Sequence, residues 1–341
     1  MRVMVTGATG FVGSHVARQL QEARHAVRLL VRDQTKAYAY YDKLNLPQPE
    51  MVTGDITDAE SVAAALAGCD AVVHAAACAP LGSTRNELLR VNVEGTRNVV
   101  GAALNQGIRQ IVCVSSITAI FNEDGAKVTA NAPPAPSKLP YGQSKVEAEL
   151  YLRGLQESGA AISIVYPGGV VGPDDPRLSD SMRALKHRID NGFRIFGDGG
   201  MQYVDVRDLA AFICSLAVKG EGGRFLVPGV YVKWTEFADI VESVSGCDLK
   251  RVPVEGWKLR LMGRLVDIVR KFREVDTPIS AETMRYATLW PRIENTHELA
   301  ARGITLRDPA QTFSDCITWM VAEKHLDGDQ CPRIAQKLGL L

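Results

Sequence analysis

The feature that most constrains this fold is a glycine-rich turn close to the amino terminus. Val3 to Thr6 form an apolar, β-branched run that predicts a buried strand, and the segment Gly7-Ala-Thr-Gly-Phe-Val-Gly13 follows it directly. Beyond that segment the apolar residues recur with the period of a helix. A strand that turns through glycines into a helix aims backbone N–H groups and the positive end of the helix dipole at one point. This arrangement predicts a site for the diphosphate of a dinucleotide.

Each glycine has its own steric role in such a turn. Gly7 permits the tight turn, Gly10 lets the backbone approach the phosphates, and Gly13 lets the helix pack closely on the sheet. A tight turn without a ligand is the alternative, but the strand and helix on either side favour the nucleotide site. The predicted cofactor-binding residues of the turn are Gly7, Thr9, Gly10, Phe11, Val12 and Gly13.

The first half of the chain alternates short β-branched runs with longer segments of helical period. Such alternation predicts an α/β fold, a doubly wound parallel sheet (Rossmann) with helices on both faces. The predicted strands are Val3 to Thr6, Ala26 to Val31, Glu50 to Thr53, Ala71 to His74, Gln110 to Val114 and Ala161 to Tyr166. The predicted helices between them are Phe11 to Glu22, Ala59 to Leu66, Glu94 to Asn105 and Tyr141 to Gln156.

After Pro167 the alternation of predicted strands and helices gives way to glycine- and proline-rich loops, which indicates a second domain. We predict a dinucleotide-binding domain over residues 1–170, to which residues 203–230 return. A smaller, mainly helical C-terminal substrate domain is predicted over residues 171–202 and 231–330, with a tail over residues 331–341.

Charge and cysteine usage exclude several classes of protein. The 39 basic and 39 acidic residues balance, so no global field recruits nucleic acid. Seven scattered cysteines without a CxxC pair predict free thiols in a reducing compartment. No apolar stretch approaches the roughly 20 residues that span a bilayer. The first predicted strand also begins within one residue of Met1. We therefore expect a cytoplasmic protein.

The histidines predict no metal site. His187, His297 and His325 lack partners at metal-ligand spacing. His74 ends an apolar strand, and we expect it to be a packed residue beside the cofactor.

The end of the second predicted strand bears on which dinucleotide binds. A site that selects NAD usually offers an acidic residue to the ribose 2′-OH about 20 residues beyond the glycines. Here the strand ends at Arg32, and Asp33 follows immediately. Arg32 could pair with a 2′-phosphate and stack on the adenine, so we predict NADP(H) as the preferred cofactor. Asp33 leaves NAD(H) open, and a solvated surface charge is the alternative for Arg32.

A hydroxyl, a phenol and an ammonium form a candidate catalytic set. Tyr141 and Lys145 stand four residues apart at the start of a helical pattern, so both project from one face. Ser115 and Ser116 follow a predicted strand at its carboxyl end, the edge at which open α/β sheets bind ligands. We predict Ser116 as hydrogen-bond donor to the substrate oxygen, and Ser115 as a cofactor contact.

An ordinary phenol titrates near about 10, which is too high for an efficient base at neutral pH. Lys145, together with the positive nicotinamide ring of an oxidised cofactor, would favour the phenolate. We therefore predict Tyr141 as general acid/base for an alcohol or carbonyl, with Lys145 as its activator and as a ligand of the nicotinamide ribose.

Several motifs occur in a recognisable order along the first half of the chain. They are Thr6-Gly-Ala-Thr-Gly-Phe-Val-Gly13, Asp55, His74-Ala-Ala-Ala77, Asn92-Val-Glu-Gly-Thr96, Val114-Ser-Ser116, Tyr141-Gly-Gln-Ser-Lys145 and Tyr166-Pro-Gly-Gly169. Together they resemble the extended branch of the short-chain dehydrogenase/reductase superfamily, also described as the NAD-dependent epimerase/dehydratase family. The resemblance spans Met1 to about Gly172, with a weaker echo in Tyr203-Val-Asp-Val-Arg-Asp208.

The resemblance implies further site residues and a partner. By it, Asp55 with Ile56 meets the adenine, and Asn92 serves structure or a proton-relay water. It also implies a homodimer through the helices Asn92 to Asn105 and Tyr141 to Gln156. The residues that would line the cofactor or border the nicotinamide are Ala75, Ala76, Ala77, Pro167, Gly168, Gly169 and Val170.

The branch includes ketone reductases, hydroxysteroid dehydrogenases, and sugar-nucleotide epimerases and dehydratases. Sugar-nucleotide members tend to carry an Asn shortly after the sixth strand and an Arg after a later Gly-Asp-Gly segment. This chain has Gly168-Gly169 at the first place and Gly197-Asp-Gly-Gly-Met-Gln-Tyr203 at the second, with no Arg before Arg207. The segment Leu29-Leu-Val-Arg-Asp33 also looks like the dihydroflavonol-reductase-like members, which use NADPH.

We therefore expect an NADP(H)-dependent oxidoreductase that reduces a ketone or aldehyde, or oxidises a secondary alcohol, of a fairly apolar small molecule. The alternatives are a sugar-nucleotide epimerase or dehydratase with tightly bound NAD(P), and a nucleotide sensor without turnover.

Residues 250–273 form a basic segment with eight basic and two acidic residues. We expect an amphipathic helix that packs its apolar face on the substrate domain and leaves Lys and Arg in water, without membrane contact. A lid, or contact with a membrane surface that supplies a lipid-like substrate, is the alternative. The apolar residues at helical spacing are Trp257, Leu261, Leu265, Ile268 and Phe272.

Overall fold

The computed structural model describes residues 1–78, 83–121, 128–137, 139–196, 199–270, 272–273, 279–293 and 297–340, with the backbone alone for 194–196. Its strands are β1 (Arg2–Thr6), β2 (Ala26–Val31), β3 (Glu50–Thr53), β4 (Ala71–His74), β5 (Gln110–Val114), β6 (Ile162–Pro167), β7 (Gly169–Val171), β8 (Phe193–Phe196), β9 (Gly200–Asp205), β10 (Gly223–Val227), β11 (Val230–Lys233) and β12 (Arg251–Val254).

The α-helices are α1 (Phe11–Glu22), α2 (Gln34–Lys43), α3 (Ala59–Leu66), α4 (Arg85–Leu89), α5 (Gly95–Asn105), α6 (Pro140–Glu157), α7 (Asp180–Asn191), α8 (Val206–Lys219), α9 (Trp234–Ser245), α10 (Gly256–Val269), α11 (Ala281–Leu289), α12 (His297–Ala300), α13 (Pro309–Ala322) and α14 (Pro332–Lys337). A π-helix (Arg90–Glu94) joins α4 to α5, and short 3₁₀ turns lie at Ile117–Ala119 and Gly328–Gln330.

The main sheet has seven strands in the order β10-β6-β5-β4-β1-β2-β3, and all of their pairings are parallel. The chain order reverses beside β1, which pairs with β2 on one side and β4 on the other. Thr6 at the end of β1 therefore lies beside His74 at the end of β4. Ligands of open α/β sheets bind outside the carboxyl ends of strands at such a reversal. The predicted doubly wound, Rossmann-type sheet is confirmed.

Helices cover both faces of this sheet. Val3 and Val5 belong to the same core as Leu20 of α1, whereas Met4, which lies between them, packs in the opposite core with Leu66 of α3. Successive side chains of a strand point to opposite faces, so a strand that is covered on both faces reads as a continuous apolar run. This burial explains why these strands are predictable from the sequence.

The later part of the chain builds a smaller unit beside the main sheet. β7, β9 and β11 form a three-stranded sheet, β8 pairs with β12, and a core shared with α7, α9 and α13 holds them together. Within the segment 203–230, the end of β9 pairs in this smaller sheet, whereas α8 packs on the main sheet and β10 joins it. The proposed domain boundaries remain predictions.

Helix α10 corrects the expectation for the basic segment. Its apolar residues Trp257, Leu261, Leu265 and Ile268 are exposed, while Leu259 and Gly263 are buried. The helix contacts α11 through this second face, so its apolar face points away from the protein. Amphipathicity alone could not reveal which face has a neighbour. Lys271 of this segment lies outside the described residues.

The described residues contain no helix that is both long enough and apolar enough to cross a membrane.

Candidate active site

The glycine turn forms a backbone cradle at the carboxyl edge of the main sheet. Gly7 has a φ of +72°, and a Cβ added to it would lie 2.6 Å from the backbone nitrogen of Ala76. A Cβ on Gly13 would lie 2.3 Å from the carbonyl oxygen of Gly7. The N-cap of α1 is Gly10, which has no side chain to occupy the first N–H groups, and the first turn holds no acidic residue. This cradle fits a diphosphate.

Thr9, Phe11 and Val12 lie in the same turn and complete the predicted set. Phe11 also packs against the core of the smaller unit, so the turn contacts both parts of the chain.

An arginine and a carboxylate that caps a helix follow the end of β2 at this edge. Asp33 is the N-cap of α2, and its carboxylate accepts a hydrogen bond from the backbone N–H of Lys36 at 3.1 Å. This hydrogen bond lowers the pKa of Asp33. The Lys36 ammonium lies 3.4 Å from the same carboxylate. Arg32 is exposed just beyond β2. Asp33, the acidic residue that kept NAD(H) as a possible cofactor, thus caps the N-terminus of α2.

Asp55 and Ile56 follow β3 at the same edge. Asp55 accepts hydrogen bonds from the backbone N–H and the hydroxyl of Thr57, both at 2.9 Å. Burial acts to raise the pKa of Asp55, but these hydrogen bonds and the nearby Arg32 charge outweigh it and lower that pKa. Ile56 is buried, and Asn98 Nδ2 donates to its carbonyl oxygen at 2.9 Å. The structure thus places Asp55 close to Arg32.

A directional chain of hydrogen bonds runs behind the glycine turn. The backbone N–H of Ala76 donates to Thr6 Oγ1 at 3.3 Å, and Thr6 Oγ1 lies 2.8 Å from His74 Nδ1. On the other side, His74 Nε2 lies 3.0 Å from Thr96 Oγ1, which donates its own proton to the Asn92 carbonyl oxygen at 2.7 Å. Nε2 must therefore carry the imidazole proton, and Nδ1 accepts from Thr6.

His74 is a structural member of this chain. Burial, together with the Lys145 charge, lowers the pKa of His74 to about 3, so the imidazole is neutral at physiological pH. The expectation of a packed histidine agrees with its complete set of hydrogen bonds. The two threonine partners, Thr6 and Thr96, were not identified from the sequence.

Asn92 lies in the π-helix and holds two segments of the site together. Its Oδ1 accepts from the backbone N–H of Cys78 at 2.7 Å, and its Nδ2 donates to Ser144 Oγ at 2.9 Å. Ser144 in turn donates to the carbonyl oxygen of Tyr141 at 2.7 Å. Asn92 thus links the loop after β4, which contains Ala75, Ala76 and Ala77, to the first turn of α6. π-helical turns are often found at functional sites.

Ser116 and Tyr141 come together at the carboxyl end of β5. Ser116 Oγ accepts hydrogen bonds from the backbone N–H of Thr118 at 3.2 Å and from the Thr118 hydroxyl at 2.8 Å. Its own proton is therefore free to point elsewhere, and the hydroxyl is near enough to the Tyr141 phenol to act on the pKa of that phenol. The structure brings together the two groups predicted to contact a substrate oxygen.

The pKa of the Tyr141 phenol rises above its ordinary value. Burial is the main cause, the Asp180 carboxylate adds to it, and the interaction with Ser116 opposes it. The expectation that Lys145, together with an oxidised nicotinamide ring, favours the phenolate remains a prediction for the protein with its cofactor bound. Lys145 Nζ lies 5.8 Å from the centre of the phenol ring. Burial lowers the pKa of Lys145 to about 8, against a raising effect of the Glu149 carboxylate.

Two buried charged residues that follow Lys145 along α6, Glu149 and Arg153, were not identified from the sequence. Glu149 is fully buried, and its carboxylate accepts from Arg153 Nε at 2.7 Å and from the Tyr166 hydroxyl at 2.5 Å. Ser115 donates to the same carboxylate at 3.1 Å. Tyr141, Lys145, Glu149 and Arg153 are spaced by four residues along one face of α6. That spacing was the available signal, but charged residues four apart usually mark a solvated face.

The Ser115 hydroxyl therefore contacts α6, and its place among the cofactor contacts remains a prediction.

The segment after β6 leaves no room for a side chain. Pro167 is buried at the end of β6, and a Cβ on Gly168 would lie 2.2 Å from the carbonyl oxygen of Pro228. A Cβ on Gly169 would lie 3.1 Å from the carbonyl oxygen of Gln202. Gly169 and Val170 begin β7. An asparagine at Gly168 would require the backbone to move.

An aromatic cluster borders the Ser116 side of the site. Phe121 closes the segment that starts at Ser116, and its ring stacks on Trp290 with centroids 5.2 Å apart. Tyr286 of α11 lies 4.7 Å from the same ring. Helix α11 also reaches the start of α6, because Ser137 donates to the Glu282 carboxylate at 2.7 Å. Phe121 and Trp290 are buried in the core that also holds Ile117, the residue directly after Ser116.

Comparison with known proteins identifies one matching family model. It covers residues 3–227 and is described as the NAD dependent epimerase/dehydratase family. The match includes the glycine turn, β5 with the Ser116 that follows it, and α6 with Tyr141.

Individual relatives cover the chain to different extents. Sterol demethylase protein B from Methylococcus capsulatus is 28% identical over 327 residues, which is 94% of this chain and 98% of that protein. A protein provisionally named dihydroflavonol 4-reductase from Synechocystis sp. is 34% identical over 212 residues, 61% of this chain and 60% of that protein. The crystal structure of gox2253 superposes with a TM-score of 0.80 at 27% identity, covering 95% of this chain and 99% of that one.

Proposed function

We propose NADP(H) as the cofactor of this chain, which belongs to the NAD dependent epimerase/dehydratase family and is an NAD(P)-dependent oxidoreductase. Its resemblance to the extended short-chain dehydrogenases/reductases predicts this family. We propose further that it reduces a ketone or aldehyde on a fairly apolar small molecule, or oxidises the corresponding secondary alcohol. The observation that carries this proposal is the convergence of three groups at the end of β5: the Ser116 hydroxyl interacts with the Tyr141 phenol, and Lys145 Nζ lies 5.8 Å from the centre of the phenol ring.

The chain's own residues handle the proton. The phenol of Tyr141 keeps its proton at neutral pH, since an ordinary phenol titrates near about 10 and burial raises this pKa further, and this state suits donation to a carbonyl oxygen. Ser116 donates a hydrogen bond to the same oxygen as negative charge develops on it. Lys145 is charged below pH about 8 and stabilises the phenolate that remains after proton transfer. When bound, the nicotinamide supplies or accepts the hydride.

The nucleotide would be held at the other end of the carboxyl edge. Gly7, Gly10 and Gly13 would hold the diphosphate, and Asp55 with Ile56 would meet the adenine. Arg32 is exposed there, whereas the Asp33 carboxylate is occupied by the N-terminus of α2. An arginine with planar donors suits a 2′-phosphate, and one oxygen of the neighbouring Asp33 carboxylate is already used to cap α2. These contacts favour NADP(H).

Two observations favour an apolar substrate over a sugar nucleotide. The backbone around Gly168 has no space for the asparagine that sugar-nucleotide members tend to carry there. The rings of Phe121, Tyr286 and Trp290 pack in or against the apolar core that also holds Ile117, the residue after Ser116. The relative that spans nearly the whole chain is named for a sterol, which agrees with a substrate of this kind. We therefore favour an alicyclic, sterol-like ketone or alcohol.

A substrate panel tests this function directly. Purified protein would be mixed with NADPH and with a 3-oxosteroid, smaller ketones, aldehydes or UDP-glucose, and the NADPH absorbance followed. We expect net consumption of NADPH with apolar carbonyl compounds. In a separate mixture with NAD+ or NADP+ in place of NADPH, conversion of UDP-glucose without net formation of reduced cofactor would instead support an epimerase.

A pair of matched tyrosine variants locates the chemistry. Tyr141→Phe removes the phenolic proton donor and should lower kcat by at least about a hundredfold, with NADPH binding retained. Tyr151→Phe changes the same atom on the same helix, ten residues further along α6, and should leave kcat unchanged. Equal kcat values for the two variants would contradict the proposed role of Tyr141.

A homodimer through α5 and α6 remains part of the proposal. Leu150 of α6 is 56% exposed, which is compatible with an apolar contact to a second copy. Light scattering that shows only a monomer would contradict the proposed homodimer.

A further inference from the structure

Helix α10 carries a continuous apolar face that no described part of the chain covers. We call Trp257, Leu261, Leu265, Ile268 and Phe272 the α10 stripe. Their exposed fractions are 55%, 48%, 54%, 51% and 85%. Steps of four, four, three and four residues place the stripe on one side of the helix and of its immediate continuation. Exposed apolar patches of this length usually mark a contact surface.

The opposite side of α10 is its attachment to the protein. Gly256, Leu259 and Gly263 are buried there. A Cβ on Gly263 would lie 2.4 Å from the carbonyl oxygen of Ser280, so α10 and the start of α11 approach closely. The helix is therefore fixed in an orientation that points the α10 stripe outward.

The charges beside the α10 stripe are mainly positive. Lys258 and Arg264 are exposed on this helix. The two acidic residues of the segment are both engaged: Glu255 lies 3.3 Å from Lys258 Nζ and accepts from the Trp257 indole at 2.6 Å. Asp267 lies 3.4 Å from Arg270 and accepts from the backbone N–H of Ala281 at 2.9 Å. The segment 250–273 carries eight basic and two acidic residues, so its net charge is positive even though Arg251, Lys258 and Arg270 are ion-paired with carboxylates.

We propose that α10 binds the surface of a membrane that contains anionic lipids. The helix would lie in the plane of the interface, with the α10 stripe among the acyl chains and the flanking Lys and Arg side chains at the headgroups. A tryptophan at one end of the stripe suits the interfacial region. A second copy of the chain would bring its own cationic flanks against these, and this repulsion disfavours self-association through the same face.

The location of α10 connects this surface to the substrate. Helix α11 lies between α10 and the site: its Tyr286 contacts Phe121, and its Glu282 accepts from Ser137 beside the start of α6. An apolar substrate dissolved in the membrane would therefore meet the protein on the side of α11. This last step depends on the proposed function, whereas membrane binding itself does not.

Vesicle co-sedimentation of the full chain tests the proposal. Vesicles of phosphatidylcholine alone would be compared with vesicles containing about one third phosphatidylserine, at an ionic strength of about 0.15 M. We expect the protein to sediment with the anionic vesicles, to bind the neutral ones more weakly, and to dissociate as salt is raised. Protein that stays in the supernatant with anionic vesicles would overturn the proposal.

Polar substitutions on the α10 stripe give the decisive comparison. Leu261→Gln/Leu265→Gln changes two exposed side chains and should weaken binding to anionic vesicles at least about tenfold. Leu338→Gln/Leu340→Gln makes the same change at two exposed leucines far along the chain and should bind like the wild type. Both variants should retain NADPH binding and the thermal midpoint of the wild type.

Arg264→Glu tests the electrostatic part, and it should reduce binding to anionic vesicles more than binding to neutral ones. Stripe variants that sediment as the wild type does would overturn the proposal. So would light scattering that shows concentration-dependent self-association of the wild type, abolished in Leu261→Gln/Leu265→Gln, because the stripe would then be covered by a second copy.

Discussion

The carboxylate of Glu149 accepts a hydrogen bond from the hydroxyl of Ser115 at 3.1 Å, and this contact fixes α6 against the end of β5. Ser116, the next residue, contacts Tyr141 near the start of the same helix. Glu149 is therefore a positioning residue: it touches neither Tyr141 nor Ser116 directly, but it holds the two elements that carry them. Its charge also raises the pKa of Lys145.

Glu149→Gln should move the alkaline limb of the pH profile. In the wild type, Lys145 loses its proton as pH rises through about 8, so kcat/KM for NADPH should fall above that pH. Glutamine keeps a hydrogen-bond acceptor but removes the negative charge, so the pKa of Lys145 falls further. We expect the alkaline limb to begin at a lower pH, which a kcat/KM profile between pH 6 and 10 would measure.

The same substitution leaves the Arg153 guanidinium buried without its carboxylate, which can cost about 3 kcal/mol or more of stability. Glu149→Gln/Arg153→Met removes both charges and serves as the better-folded comparison. An alkaline limb at the wild-type pH in both variants would show that the Glu149 charge does not reach Lys145.

Arg32→Ala should change cofactor preference. A hydrogen bond to a charged phosphate contributes roughly 1.5–3 kcal/mol, so the KM for NADPH should rise about 10- to 100-fold while the KM for NADH changes little. Arg109→Ala is the control, because Arg109 is an exposed arginine that precedes β5 and lies at the opposite edge of the sheet. Similar KM values for NADPH in wild type and Arg32→Ala would contradict the assignment.

Gly7→Ala should disrupt the cradle far more than the backbone angle alone explains. Gly7 and Gly107 share nearly the same backbone conformation, with φ of +72° and +75°. A Cβ on Gly107 meets nothing within 4 Å, so Gly107→Ala costs only the strain, about 1 kcal/mol. Gly7→Ala adds a clash with the Ala76 backbone and should cost about 2 kcal/mol more and abolish NADPH binding. Urea unfolding and NADPH titration would measure both, and equal losses would refute the steric argument.

Acid should destabilise the protein through two buried histidines. Burial lowers the pKa of His74 to about 3 and that of His15 to about 4. Below pH about 6.5 the unfolded chain therefore binds protons that the folded chain does not, so the free energy of unfolding falls as pH falls. Each group contributes about 1.4 kcal/mol per pH unit over this range.

Urea midpoints between pH 7 and 4.5 would measure this slope. His15→Gln should make it shallower by about one proton. A slope that this substitution does not change would show that His15 is protonated in the folded state.

The main sheet was largely predictable from the sequence, because burial on both faces turns its strands into continuous apolar runs. Ala26 to Val31, Glu50 to Thr53, Ala71 to His74 and Gln110 to Val114 form strands with the predicted bounds. Helix α2 was missed: Gln34 to Lys43 buries only Ala37 and Tyr41, which is too narrow an apolar face to stand out. The cap that starts it, Asp33, was considered only as a cofactor ligand.

The candidate site was predictable where chemistry fixes residue type and spacing. Ser116, Tyr141 and Lys145 lie together as the motifs suggested, although the cofactor roles of the predicted residues remain predictions. What the sequence could not supply is which polar group meets which. The sequence around Glu149 does not distinguish a buried glutamate from a solvated one, and the sequence of α10 does not show which of its sides is covered. Each case depends on neighbours that are distant along the chain.

In the π-helix from Arg90 to Glu94, the number of residues sets the orientation of a side chain in the site. A π turn accommodates one residue more than an α-helical turn. Asn92 sits in that turn and bridges Cys78 and Ser144. Since each helical residue rotates the next by about 100°, deleting a single residue between Leu89 and Asn92 would swing this amide away from both partners. Every motif would survive such a deletion intact, so here the count of residues carries information that their identities do not.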